Sequence, residues 1–255
     1  MAYRVRIIGK KGSKSCNEII KGTGIRRYLG ATADLIINYG LAGQRLQNFY
    51  NRFPSARRLP MVNKTIGHSK YRAIKIAEQH GILVPESKLE LSRSDKLCEW
   101  IEKRFNSQAG IGICMARARQ APPHKYYQKF VSNRRSEVRV HGFKWINTDR
   151  WRVQRRCGKE GEIAWNFNRG GHFITIHHPL HYSTYKKSME ITGRILSIFN
   201  MSFGAADFII DTENNVLFVE INSCPGFQEL SRDIYVNAFN ILKEMPLKEA
   251  LKYTR

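Results

Sequence analysis

The chain has 255 residues, with 43 Lys and Arg against 21 Asp and Glu and a formal net charge of +22. Hydrophobic residues make up 42% and charged residues 25%, a globular balance that supports a sizeable core and excludes a disordered or low-complexity polymer. No apolar run approaches the roughly 20 residues a membrane helix needs. The opening Met-Ala-Tyr-Arg-Val-Arg lacks an apolar signal core. A cytoplasmic protein with no membrane partner is therefore expected. Five scattered cysteines without a C-x-x-C pair read as free thiols rather than a disulfide framework.

In chain order, residues 4–8 alternate and predict a strand ended by Gly9 and Gly12. Residues 34–38 predict a short apolar strand closed by Gly40, and a polar basic stretch follows to about residue 58. Together residues 1–60 form a short N-terminal α/β unit. Ser69 caps a helix to about His80, with Ala73, Ile74 and Ala77 on one face. Gly81 stops it, and residues 82–85 begin a strand. Ser94 caps a second helix that places Leu97, Trp100, Ile101 and Phe105 inside. Residues 126–175 read as strands and turns, and a helix runs from Ser183 to about Asn200. A strand pair occupies 205–211 and 216–222, and a last helix spans about 229–244, burying Leu230, Ile234, Ala238 and Ile241. Helices alternating with strand groups indicate α+β or α/β layering.

Charge is uneven along this order. Residues 1–60 and 117–160 each carry a positive excess of ten, whereas 201–234 holds six acids against Arg232 alone. So basic a chain calls for an anionic partner: nucleic acid, nucleotide or an acidic polypeptide. The acidic segment within it calls for cations.

The two late strands, joined by four polar residues, make an antiparallel hairpin. If Asp211 pairs with Val216, Asp207 faces Glu220, and Asn222 lies on the same face opposite Ala205. A two-residue slip would put Asn222 opposite Asp207 with all three still on one face. Opposed carboxylates on a buried hairpin repel, so the pattern asks for a cation between them. An all-oxygen set suits Mg²⁺ or Mn²⁺ rather than Zn²⁺. The competing reading is a pair of solvent-facing acids on an edge hairpin. Elsewhere, residues 107–113 (Ser-Gln-Ala-Gly-Ile-Gly-Ile) form a glycine-rich turn able to wrap phosphates, and alternation puts Glu137, Arg139 and His141 on one strand face. Arg155 and Arg156, near Asn166 and the Arg169-Gly170-Gly171 turn, suggest phosphate handling. His177, His178 and His181 cluster without a zinc spacing. Trp145, Trp151 and Trp165 could stack bases or pack a core.

Taken in order, these features resemble the ATP-grasp ligases, and among them the ribosomal-protein-S6 glutamate ligase type, the RimK-like group. Residues 219–226 (Val-Glu-Ile-Asn-Ser-Cys-Pro-Gly) are similar to that group's E-[VI]-N-S-S-P-G signature, with Cys224 replacing a Ser. Asp207 matches the first metal aspartate, with one residue more than usual before Glu220. Residues 108–115 resemble the T-Q-G-x-G-V-V-L loop, and Ser69-Lys70 with residues 80–85 resembles D-K…G-I-P-x-P. Gln128 and Lys129 fall at the adenine-contacting pair, Glu137 at the ribose-binding acid, and Arg139 at the Arg two residues on. Arg156 and Asn166 match an Arg and Asn ten residues apart. Ala164 stands where the family has Arg, and Lys103 is the best match to the Lys before the glycine loop.

The resemblance implies an ATP-grasp fold of two α+β lobes sandwiching ATP, divided as 1–60, 61–125 (small lobe with the glycine-rich loop) and 126–255 (lobe with the metal site). It implies a cytoplasmic carboxylate–amine ligase working through an acyl phosphate, adding an amino acid to an acidic peptide or protein acceptor. Lys70, Lys103, Gly110, Gly112, Gln128, Lys129, Phe130, Glu137 and Asn166 would bind ATP. Asp207, Glu220 and Asn222 would hold Mg²⁺ or Mn²⁺, with two ions. Arg139 and Arg156 would be catalytic. A non-catalytic nucleic-acid-binding protein and an ATP-grasp kinase are the alternatives.

Overall fold

Described here is a computed structural model covering residues 3–64, 68–106, 112–158, 163, 171–227 and 231–254. Strand β1 (Val5–Gly9) leads into α1 (Lys14–Thr23). That helix was not expected from its sequence. Its start is set by Ser13, whose Oγ accepts from the Cys16 N–H at 3.3 Å, and its end by Gly24 at φ 68°, the left-handed position glycine takes without strain. Then come β2 (Arg26–Arg27), β3 (Leu35–Tyr39), α2 (Gly43–Arg52) and β4 (Met61–Val62). All five residues of β3 are buried, as suits a parallel strand covered on both faces. These strands form a parallel sheet in the order β2-β1-β3-β4.

Helix α3 (Lys70–Gln79) follows, capped by Ser69 as expected, with Ala73, Ile74 and Ala77 buried. The next two expectations need correction. Residues 82–85 form no strand; pairing begins only at β5 (Ser87–Lys88), beyond Pro85, which has no N–H to offer a ladder. The helix expected from Ser94 is a 3₁₀ turn (Leu97–Glu99) and a strand, β6 (Trp100–Arg104). Trp100, Ile101, Glu102 and Lys103 are all buried, so β6 is covered on both faces and does not alternate. Apolar residues at 97, 100, 101 and 105 then mimic helical spacing. With β7 (Cys114–Met115) and β8 (Lys125–Lys129), it makes an antiparallel sheet in the order β5-β8-β6-β7.

The remaining strands, β9 (Arg134–Phe143), β10 (Arg152–Cys157), β11 (His172–Ile176), β12 (Phe203–Asp211) and β13 (Val216–Asn222), form one antiparallel sheet in the order β11-β10-β9-β12-β13. Helix α4 (Ser183–Ile198) packs on β9 and β12, and α5 (Ser231–Glu244) packs on α1. One hydrophobic cluster holds Ile7, Ile19 and Ile37 of the first sheet together with Phe143, Phe203 and Phe239. Trp151 is buried in the same cluster and Trp145 packs against it, its indole N–H donating to the Ala238 carbonyl at 2.8 Å, so neither is free to stack on a base. Among the described residues no helix is long and apolar enough to cross a membrane.

The first sheet also meets the loop after β13. The Tyr39 hydroxyl donates to the Pro225 carbonyl at 2.8 Å, and a Cβ on Gly40 would lie 2.3 Å from the Cβ of Cys224. Gly40 has φ 89°. Gly40→Ala should therefore destabilise the protein twice over, by about 1–2 kcal/mol for the left-handed backbone and about 1–3 kcal/mol for crowding. Urea unfolding should show that adding Cys224→Gly recovers the second part only.

Candidate active site

The site is built on register. In antiparallel pairing, directly opposed residues share a face. Arg139 on β9 lies opposite Gln154 on β10 and Asp207 on β12, and Asp207 lies opposite Glu220 on β13. One row down, Glu137 pairs with Arg156; one row up, His141 pairs with Ala205, and Ala205 with Asn222. The expected facing of Asp207 with Glu220, and of Asn222 with Ala205, is present. The turn end differs, because Ile210, not Asp211, pairs with Val216. A bulge absorbs the difference: Phe208 pairs with Phe218 and Asp207 with Glu220, leaving Val219 over.

The two acids do not rely on a metal ion for their charge balance. Arg139 grips Asp207 with two hydrogen bonds, Nε to Oδ1 at 2.6 Å and Nη2 to Oδ2 at 2.7 Å, and Arg156 Nη2 adds a third at 3.3 Å. Lys70, at the start of α3, places Nζ 2.6 Å from Glu220 Oε2. Burial pushes the Asp207 carboxyl up, but Arg139 and Arg156 override it and hold the acid well below the usual carboxylate range. Burial also raises Glu220 and Asp207 repels it, yet Lys70 leaves it below its ordinary value. His141, pushed down to about 3 by burial and by Arg139, is neutral between the Tyr235 hydroxyl and Gln154.

Glu137, the expected ribose ligand, accepts from Arg134 at 2.6 Å and from Arg156 at 2.8 Å. Both Arg139 and Arg156 lie over the Phe173 ring, at 5.0 and 4.8 Å from its centroid. Across the cavity, Lys103 is buried on β6 and donates to Gln128 Oε1 at 2.9 Å. Burial, with Lys70 nearby, lowers its ammonium to about 8.

One cavity of about 560 Å³ gathers these groups. Lys70, Lys103, Gln128, Lys129, Phe130, Glu137, Arg139, Arg156, Asp207, Glu220 and Asn222 all line it. Gly112, at φ 79°, is not in the lining, and Gly110 and Asn166 lie outside the described residues, as do Ala164 and Trp165. Sequence reasoning missed Arg134 and the loop between β1 and α1, where Lys10, Lys11, Gly12, Ser13 and Ser15 reach the same cavity. The signal for the loop was available in Gly12-Ser13, a left-handed glycine followed by a helix cap. The His177, His178 and His181 cluster reduces to a stacked pair, His178 on His181 at 5.3 Å, and no described group of three His, Cys, Asp or Glu could hold a metal.

Asp207, Glu220 and Asn222 still suit a hard divalent ion as a mixed carboxylate–amide set. Asn222 Nδ2 donates to Glu220 Oε1 at 3.1 Å, which leaves its oxygen unspent, and each carboxylate has lone pairs beyond those its cations use. Eight cationic side chains and three acidic ones line the cavity, an excess that suits a polyanion.

A family model for the RimK-like ATP-grasp domain matches residues 67–245. No curated protein sequence matches the chain. Among solved structures, a RiPP-associated ATP-grasp ligase of Chryseobacterium gregarium, in complex with ADP and a leader and core peptide, is similar with a TM-score of 0.61 at 12% identity, over 95% of this chain and 97% of that one. The D-alanine–D-alanine ligase of Bacillus anthracis is similar with a TM-score of 0.60 at 13% identity, over 99% and 97%. The ATP-grasp ligase PsnB, complexed with a minimal precursor, Mg and ADP, has a TM-score of 0.57 at 12% identity, over 99% and 97%. At these identities the likeness is one of fold, and the fold is that of ATP-grasp ligases.

The buried Lys103 makes stability depend on pH. Between about pH 8 and its ordinary value of 10.5, the unfolded chain holds a proton that the folded chain has released, so stability should rise with pH across that window. The full rise is about 3 kcal/mol. Urea unfolding at pH 7 to 11 should show this slope in the wild type and lose it in Lys103→Met.

Proposed function

The chain belongs to the RimK-like ATP-grasp domain family, and from that membership we propose that it is an ATP-dependent carboxylate–amine ligase acting through an acyl phosphate. The observation that supports this most is the convergence, in one cavity, of an opposed acid pair, two lysines, two sheet arginines and the β8–β9 connection. The proposed division follows the chain: residues 1–60 help hold the acceptor, 61–125 cover the nucleotide, and 126–255 carry the metal site.

In this reading Lys70 and Lys103 neutralise phosphate oxygens, Gln128, Lys129 and Phe130 border the base, and Glu137 meets the ribose. Asp207, Glu220 and Asn222 hold Mg²⁺ or Mn²⁺, with two ions. When bound, those ions supply charge neutralisation on the phosphates. An acceptor carboxylate oxygen attacks the terminal phosphorus, and the bond to ADP breaks. The amine then attacks the acyl carbon, losing a proton, and inorganic phosphate leaves as the amide forms. No Ser or Cys nucleophile is needed. Arg139 and Arg156, fixed by Asp207, Glu137 and the Phe173 ring, are preorganised donors for the oxyanion that develops. Lys10 and Lys11 at the rim favour an acidic peptide or protein as the carboxylate partner.

Mass spectrometry of products, with ADP release measured against amino acids and acidic peptides, tests the reaction; a stable phosphorylated product in place of an amide would make it a kinase. Glu220→Gln should abolish Mg-dependent ATP cleavage with the fold retained, read by ADP release and circular dichroism. Arg156→Ala should lower turnover by about 10²-fold, as loss of one preorganised donor does, and change ATP affinity far less; equal losses in both would make it a binding residue only.

A further inference from the structure

The cavity has two chemically distinct ends. Lys70, Arg139, Asp207 and Glu220 mark the charged end, whereas Ile101, Phe130, Val131 and Phe208 offer apolar walls to a planar ring. Gln128 lies beside Ile101 in the register of β6 and β8, so the two share the face that lines the cavity. It is only 2% exposed. Its amide orientation follows from chemistry. Lys103 Nζ, 2.9 Å away, has donors and no acceptor, so the amide oxygen must face it. The amide nitrogen therefore faces elsewhere, and among the described residues this buried Nε2 has no hydrogen-bond partner.

We propose that Gln128 determines which purine the site accepts, by donating through Nε2 to an acceptor on the N7 edge of the base. This rests on reading the cavity as a nucleotide site. The N7 edge of adenine presents one acceptor, N7, beside the N6 amino donor; that of guanine presents two acceptors, N7 and O6. A pocket whose side chains there are an amide N–H and a lysine offers donors only. It does not reject guanine, as a carboxylate at this position would by repelling O6 while welcoming the N6 amino group. The chain should therefore use GTP as well as ATP, and Gln128→Glu should restore adenine selectivity. The carboxylate would face Lys103 as an ion pair, so this variant retains a partner for its buried charge.

The test is isothermal titration of the full chain with ATP, GTP and 7-deaza-ATP in the presence of Mg²⁺. The expected result is GTP within about tenfold of ATP for the wild type, weaker binding of 7-deaza-ATP than of ATP, and a shift of about tenfold or more toward ATP in Gln128→Glu. A wild type that binds GTP more than about tenfold less tightly than ATP overturns the proposal, and so does a Gln128→Glu variant that binds ATP with an unchanged ATP-to-GTP ratio. Should Gln128→Glu not fold, the wild-type comparison of the three nucleotides decides alone. Failure of every nucleotide to bind would instead remove the nucleotide-site reading itself, an outcome distinct from binding without base discrimination.

Discussion

Asp207 and Glu220 oppose each other across adjacent strands, and the rest of the site is organised around keeping both ionised in a buried place. Two carboxylates in direct register are costly unless compensated. Here the compensation comes from opposite sides: Arg139, the β9 neighbour of Asp207, and Lys70, from the first turn of α3. The pair thus ties α3 to the large sheet, and it fixes Arg139 in one rotamer with both donors engaged. Arg156 completes the row by bridging Asp207 and Glu137. Removing any one of these cations would leave a buried acid short of a partner. Under the proposed function, a divalent ion arriving at the acids would release Lys70 toward phosphate.

The bulge at Val219 makes this geometry compatible with a packed hairpin. Near the turn, Phe208 packs on Phe218, with ring centroids 6.0 Å apart, both in the core. In an unbroken ladder, keeping those aromatics paired would put Asp207 opposite Val219 and turn Glu220 to the other face, since a one-residue slip inverts every side chain. The extra residue lets the aromatic pair and the acid pair coexist. It is the same residue that made the spacing before Glu220 one longer than the family pattern, so an apparent departure in sequence has a structural use.

Much of this was legible beforehand, and the reasons are local. Ser69 capping α3, the apolar stripes of α4 and α5, and the strand pair carrying Asp207 and Glu220 are all written in short-range periodicity. What was not legible depends on the far side of the molecule. Strand β6 has helical spacing because both its faces are buried, and only its neighbours β7 and β8 reveal that. Lys70 and Glu220 are 150 positions apart, and no spacing rule links them. The argument that opposed acids demand a metal ion overlooked that a distant lysine and a cross-strand arginine can do the same work. Gly110 and Asn166 fall outside the described residues, so their placement adds nothing either way.

The N-terminal unit shows how the charge of the whole chain bears on the site. It is joined to the rest through a shared core and through the loop after β13, where Tyr39 binds Pro225 and Ser13 Oγ lies 3.9 Å from the Cys224 sulfur. That junction brings Lys10 and Lys11 to a cavity already holding Lys70, Lys103 and Lys129. Cations gathered this way repel one another, and Lys103 registers the strain in the lowering that burial and Lys70 impose on it. A polyanion entering the cavity relieves both effects, so its binding and the charged state of Lys103 must be coupled: what favours one favours the other. The excess positive charge of the sequence is thus, at this one place, part of what the fold is arranged to hold.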